Sequence, residues 1–240
     1  QIASLTSNYK GKDLEKEAAP FEATIANLKK NVTEGALSNG MKYGLINKEV
    51  KGDKVMATFK LPVGNQKDLS GKGEIGSLTA QLLKAGTKSK TKEQIQDRLD
   101  QLKSTIDFNM ARQTLTVSVE TYKNNYPEVM DILKDLLTNS TFPQNEITNK
   151  ISEVTTGLEG QLKDPQAIVQ NDLARLSMYP NTNLYYTPTI QEKIDNTKKI
   201  TRDQVVSFCE NILGANNAVG TVLGNVDAKT AVASLENTFG

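Results

Sequence analysis

Hydrophobic and polar positions change period several times along the chain, and the changes mark out the elements. In "KVMATFKLPVG" the apolar residues Val55, Ala57, Phe59 and Leu61 alternate with exposed types, the period of a half-buried strand. Upstream, "VTEGALSNGMKYGLINKEV" holds two apolar-containing runs around Asn39-Gly40, a pair that supplies the positive φ angles of a tight hairpin turn. Two further strands alternate through Ile106, Phe108 and Met110 and through Leu115, Val117 and Val119, with a short polar break at Arg112 and Gln113 between them.

Helical spacing takes over elsewhere. Ile75, Leu78, Leu82 and Leu83 form a stripe in "GKGEIGSLTAQLLKAGT", and Ile95, Leu99 and Leu102 form another behind a Thr91 to Gln94 capping box. Pro127 suits the first turn of "PEVMDILKDLLTN", and Pro143 opens a long helix running towards Asp164. Further helices are predicted at "DPQAIVQNDLARLSMY" and at "TRDQVVSFCENIL", which starts on a Thr201 to Gln204 box. A last strand, "NAVGTVLGNV", leads through Asp227 as cap into "AKTAVASLENTF". Strand pairs joined by tight turns imply antiparallel pairing, and the fold class is α+β, with helices gathered on one face of the sheet. Residues 1–36 are mostly polar, with a short apolar pattern at Phe21, Ile25 and Leu28, and read as a linker or lead-in helix; residues 37–240 form the globular unit.

At 240 residues the chain can bury a full core without disulfide or metal. With 29 Lys plus Arg against 28 Asp plus Glu, no basic surplus argues for nucleic acid or anionic lipid as a partner. No stretch approaches the about 18 consecutive apolar residues of a membrane span. The chain opens on glutamine instead of methionine, which points to a piece cut from a longer protein. The single cysteine, Cys209, lies among Val205, Val206, Phe208 and Ile212 on an apolar helix face and reads as a small core residue rather than a nucleophile. Histidine is absent altogether, which excludes Ser-His-Asp triads, Cys-His dyads and every histidine-bearing zinc motif.

Gly71, Gly73 and Gly76 match the G-x-G-x-x-G spacing. A dinucleotide fingerprint needs its first glycine directly after a strand and an acid about 20 residues later at the end of the next strand. Here "GNQKDLS" separates strand from glycines, and Glu93, Asp97 and Asp100 fall on a predicted helix; no G-K-[ST] follows either. The glycines are therefore expected in a loop before a helix. On that helix Ser77 and Gln81 stand one turn apart with Ala80 beside them, the spacing at which a helix chelates a metal.

"LSNGMKYGLINKE", "GKGEIGSLTAQLLKAGTKSKTKEQIQDRLDQL", "FPQNEITNKISEVTTGLEGQLKDPQAI" and the closing "AVGTVLGNVDAKTAVASLENTFG", in that order, resemble the insulinase and pitrilysin type of zinc metallopeptidase, the inverzincins. The resemblance covers about Leu37 to Gly240 and implies a half-domain of the mitochondrial-processing-peptidase-like metallohydrolase fold. In catalytic members this helix carries H-x-x-E-H, two zinc ligands and a general base. Counted back from Gly86-Thr87, those positions hold Ser77, Ala80 and Gln81, none of which can do the work. The family's third ligand, a glutamate, would fall near Gly157, flanked by Glu153 and Glu159, both expected on a solvated helix face.

The resemblance thus implies a non-catalytic half-domain, like the third unit of a long single-chain member. It would hold no cofactor itself, with zinc in a catalytic half on the same chain or a partner subunit, and would supply chamber wall and peptide-binding surface. In the family a peptide lies extended against a sheet edge beside the zinc. An alternative is a structural or assembly subunit of the same fold, as in respiratory core subunits, with no part in proteolysis. Location in the periplasm or export is a further expectation from the resemblance. Arg175, Tyr179, Tyr185 and Tyr186 are a candidate peptide-contact cluster but are expected as an ordinary helix end with packed tyrosines. The sequons at Asn31 and Asn139 carry little weight. An activity resting on carboxylates, lysine or Cys209 would need a paired acid or activated amine, and the sequence picks out neither.

Overall fold

The computed structural model describes residues 21–240 except 213 and 216. Six strands form one sheet: β1 (Thr33–Ala36), β2 (Lys42–Asn47), β3 (Lys54–Pro62), β4 (Thr105–Ala111), β5 (Thr114–Tyr122) and β6 (Val219–Gly224). Their spatial order is β1-β2-β6-β3-β5-β4. Every neighbouring pair is antiparallel except β2 and β6, which run parallel with Leu45 beside Val222. The α+β class stands, and the expected all-antiparallel sheet is corrected at this one pair. Parallel strands need a long crossover, and here the whole middle of the chain supplies it.

Alternation along β3 puts Val55, Ala57, Phe59 and Leu61 into the core and leaves Met56 and Lys60 exposed. β5 follows in register, with Val117 opposite Phe59 and Val119 opposite Ala57, so both strands present one apolar face. Phe59 also meets Phe239 with ring centroids 4.8 Å apart, which ties the closing helix to the centre of the sheet.

The helices are α1 (Ile25–Asn31), α2 (Gln66–Leu69), α3 (Gly73–Leu82), α4 (Lys92–Gln101), α5 (Tyr126–Asn139), α6 (Gln144–Gln161), α7 (Pro165–Arg175), α8 (Ile190–Lys198), α9 (Arg202–Ile212) and α10 (Ala228–Phe239). Capping boxes start α4 at Thr91 and α8 at Thr189, and the Asp227 carboxylate accepts from the Thr230 N–H at the start of α10. Each satisfies backbone donors that a helix N-terminus otherwise leaves open. α10 packs on α5, α9 on α3, and α3 lies along β4 and against α6 and α8.

Several local expectations need correction. Residues 33–36, within the lead-in stretch, form the edge strand β1; residues 1–20 lie outside the described residues. At the β1–β2 turn only Gly40 has positive φ, +85°, because the loop is longer than two residues and the Asn39 side chain instead accepts from the Met41 N–H at 3.0 Å. The polar "QKDL" is the single turn α2, capped by Asn65. Of the three spaced glycines only Gly71, at φ +70°, lies before the helix; Gly73 and Gly76 belong to α3. A Cβ on Gly76 would stand 2.9 Å from the Phe208 ring, so this glycine lets α9 pack closely on α3.

Candidate functional site

α3 presents Ser77, Ala80 and Gln81 in three different environments. Ser77 is half-buried, Gln81 is exposed, and Ala80 is packed into the core. Gln81 donates from Nε2 to the Ser77 carbonyl at 3.4 Å. Beside them a pocket of about 240 Å³ opens between α3, α6 and α8. α3 lines it with Glu74, Ser77 and Gln81, and α6 faces them with Val154 and Leu158.

Of the residues around the position counted for the third ligand, Leu158 lines this pocket. Gly157 does not line this pocket, and a Cβ placed on it would meet open space. Val154 and Leu158, four apart on α6, are the residues that look across at Ser77 and Gln81. Glu153 is paired with Lys150 at 2.6 Å, and Glu159 with Lys198 at 3.0 Å.

One acid does reach the pocket. Glu74 is partly buried, and desolvation pushes its carboxyl above the usual carboxylate range, against the lowering influence of a backbone hydrogen bond and of Lys193. A single carboxylate flanked by a hydroxyl, an amide and two aliphatic side chains does not make a zinc site, which wants three imidazole, thiolate or carboxylate donors in tetrahedral array. Among the described residues, no three His, Cys, Asp or Glu side chains converge anywhere. The donor set does not fit the metal that catalytic relatives hold.

A second, larger hollow of about 440 Å³ lies at the N-terminal end of α3 and shares Glu74 with the first. Glu74, Lys72, Met110 and Arg112 line one side, and the Asn181–Pro188 segment with Glu192 lines the other. Arg112 stands at φ +52°, and its guanidinium lies 4.9 Å from the Tyr185 ring. Tyr185 and Tyr179 form a tilted pair at 5.6 Å. The Tyr186 hydroxyl donates to the Glu192 carboxylate at 2.9 Å, which raises the phenol and, with the Thr189 backbone bond first, lowers the acid. Arg175 closes α7 with Nη1 3.7 Å from Asp172 Oδ1. The structure thus brings Tyr179, Tyr185 and Arg112 together and ties Tyr186 to α8, while Arg175, beside Asp172, lies close enough to Tyr186 and Glu192 to exert a lowering influence on both.

Cys209 sits half-buried against the core, its thiol pushed up to about 11 by burial and, secondarily, by Glu210. At that value it carries almost no thiolate near neutral pH. Among the described residues β4 ends the sheet, paired with β5 alone, and α3 packs against it. Lys84, just past α3, reaches Asp107 of β4 at 3.0 Å. No helix among the described residues is long and apolar enough to cross a membrane.

Comparison with known proteins adds the context. The model of the insulinase family, peptidase family M16, matches residues 65–186. An uncharacterized zinc protease of Rickettsia felis is 22% identical over 216 residues, covering 88% of this chain and 50% of that protein. Among solved structures, a peptidase M16 inactive domain from Pseudomonas fluorescens superposes with TM-score 0.75 at 16% identity, covering 87% of this chain and 50% of that one. The periplasmic protease PqqL from Escherichia coli gives TM-score 0.70 at 18% identity over 92% of this chain and 24% of its own. The chain spans about half the length of the curated relative it matches.

Proposed function

We propose, since this chain belongs to the insulinase family of peptidases, M16, that it is a non-catalytic half-domain which gives a zinc-bearing companion half a chamber wall and a peptide-binding surface. The observation that carries the reading is the α3–α6 pocket, where Ser77 and Gln81 face Val154 and Leu158 and no side chain can act as imidazole ligand. Ala80, at the place of the general base, has no proton acceptor and is packed in the core. What this half retains is shape. The edge of β4, unpaired among the described residues and near α3, would offer backbone donors and acceptors to an extended peptide, the usual way a sheet edge binds one.

Remote binding energy of this kind acts on catalysis by positioning substrate for another site. The expected result is a division of labour. With peptide substrate and contaminating protease excluded, the chain alone gives no chelator-sensitive cleavage. Its addition to a companion half bearing H-x-x-E-H raises kcat/KM by about tenfold or more. Unchanged cleavage by the companion with and without this chain, in a complex verified by light scattering, would remove the role in peptide handling and favour a purely structural subunit.

A further inference from the structure

Helix α7 buries none of its side chains, yet it carries Val169 and Leu173 one turn apart, with Leu176 a turn beyond. These three are 55%, 56% and 69% exposed, and Met178, Tyr179 and Tyr185 next to them are 87%, 45% and 43% exposed. At roughly 200 Å² for a fully exposed side chain of this size, the six present about 700 Å². One partner's share of a standard protein interface is about 800 Å². Single exposed leucines are ordinary, but a patch of this extent marks a contact surface. Its Met and Tyr content is that of an interface centre.

Resting on the half-domain reading above, we propose that this α7 face, continued by Met178 and the Tyr179–Tyr185 pair, is the surface that packs against the companion half-domain. Three observations choose that occupant. The exposed area matches a globular partner. The charges on α7, Asp172 and Arg175, lie within 3.7 Å of each other, so the helix itself offers little net charge, and Arg112 over the Tyr185 ring stands at the edge of the patch. α7 packs within the chain chiefly on α6 and presents an apolar helix face, whereas an extended peptide is usually bound by a sheet edge. The relatives, of which this chain covers half, are long enough to contain such a companion.

The test uses the complex of this chain with its companion half, co-expressed as two polypeptides, with affinity measured by calorimetry. Leu173→Asp combined with Leu176→Asp is expected to weaken the complex by about 30-fold or more, the scale of interface hot spots. Val169→Lys should act in the same direction. Both sites are exposed, so the thermal midpoint of the uncomplexed chain should stay put. Met56→Asp with Val219→Asp on the open sheet face serves as control and should change affinity less than about threefold. Unchanged affinity in the α7 variants would place the contact elsewhere while leaving the half-domain reading intact. Failure of the wild-type chain to form any complex would instead overturn that reading. Self-association of the chain abolished by the same leucine changes would identify a second copy as the occupant and overturn the proposal.

Discussion

Replacing Ser77 and Gln81 with histidine and Leu158 with glutamate is expected to create a zinc site in the pocket between α3 and α6. Two imidazoles at i and i+4 on α3 would face a carboxylate from α6 across the 240 Å³ pocket, which gives three protein ligands with a fourth position open to solvent. Zinc affinity should rise by at least about 1,000-fold over the unaltered chain, equivalent to about 4 kcal/mol. Each single substitution should deliver only a small part of that gain, because one donor leaves zinc mostly hydrated. Titration of the triple variant with zinc, read by calorimetry, checks the expectation. A triple variant that binds no better than the single ones would mean that α3 and α6 are not the counterparts of the catalytic elements. Ala80 is left out deliberately: it is 3% exposed, so Ala80→Glu would bury a carboxylate in the core and is expected to cost about 3–5 kcal/mol.

The largest effect on stability is expected at Gly224→Ala. Gly224 ends β6 at φ +147°, paired with Val55 of β3. A Cβ there would lie 2.7 Å from the Val55 Cα and against the Lys54 carbonyl, all backbone, so nothing nearby can yield without breaking the β3–β6 ladder. The same residue's carbonyl accepts from the Lys48 and Val226 N–H groups at 3.0 and 2.9 Å, which fixes the turn that follows. Strain and lost pairing together should cost about 3–5 kcal/mol. For a domain of this size that lowers the thermal midpoint by about 10 °C. The contrasting variant is Gly157→Ala, in the interior of α6 with open space around it, which should stabilise by up to about 1 kcal/mol. Thermal melts of the two proteins should move in opposite directions; a Gly224→Ala protein melting with the wild type would refute the close approach of β6 to β3.

These two glycines show what a sequence carries and what it does not. Period-two alternation made β3 and β5 legible, and side-chain chemistry at Thr91, Thr201 and Asp227 marked where helices begin. Nothing local distinguishes Gly224 from Gly157, because the need for glycine at 224 arises from a strand some 170 residues away in sequence, a contact only the folded sheet creates. The parallel pairing of β2 with β6 is hidden for the same reason. α8 escaped although its Thr189 to Glu192 box carried a start signal, because Ile190 and Ile194 are a thin apolar pattern. At the site, counting from landmarks fixes the α6 position only to within a residue or two of Gly157, and Leu158 is the residue that lines the pocket. Helical rotation of about 100° per residue turns an offset of that size into a different face. The partner of Glu159 is equally hidden, since Lys198 comes from α8, a helix the pattern does not announce, whereas Lys150 stands three residues before Glu153 on α6 itself.

Donor chemistry decides whether this half holds zinc, and the metal content of the purified chain reads it out. The chain, purified without a metal-affinity step and dialysed against trace zinc, should contain fewer than about 0.1 zinc per molecule by elemental analysis, with the triple variant near one as the positive control. About one zinc per wild-type chain, retained through dialysis, removed by chelator and lost on mutation of Glu74, Glu153 or Glu159, would contradict the account.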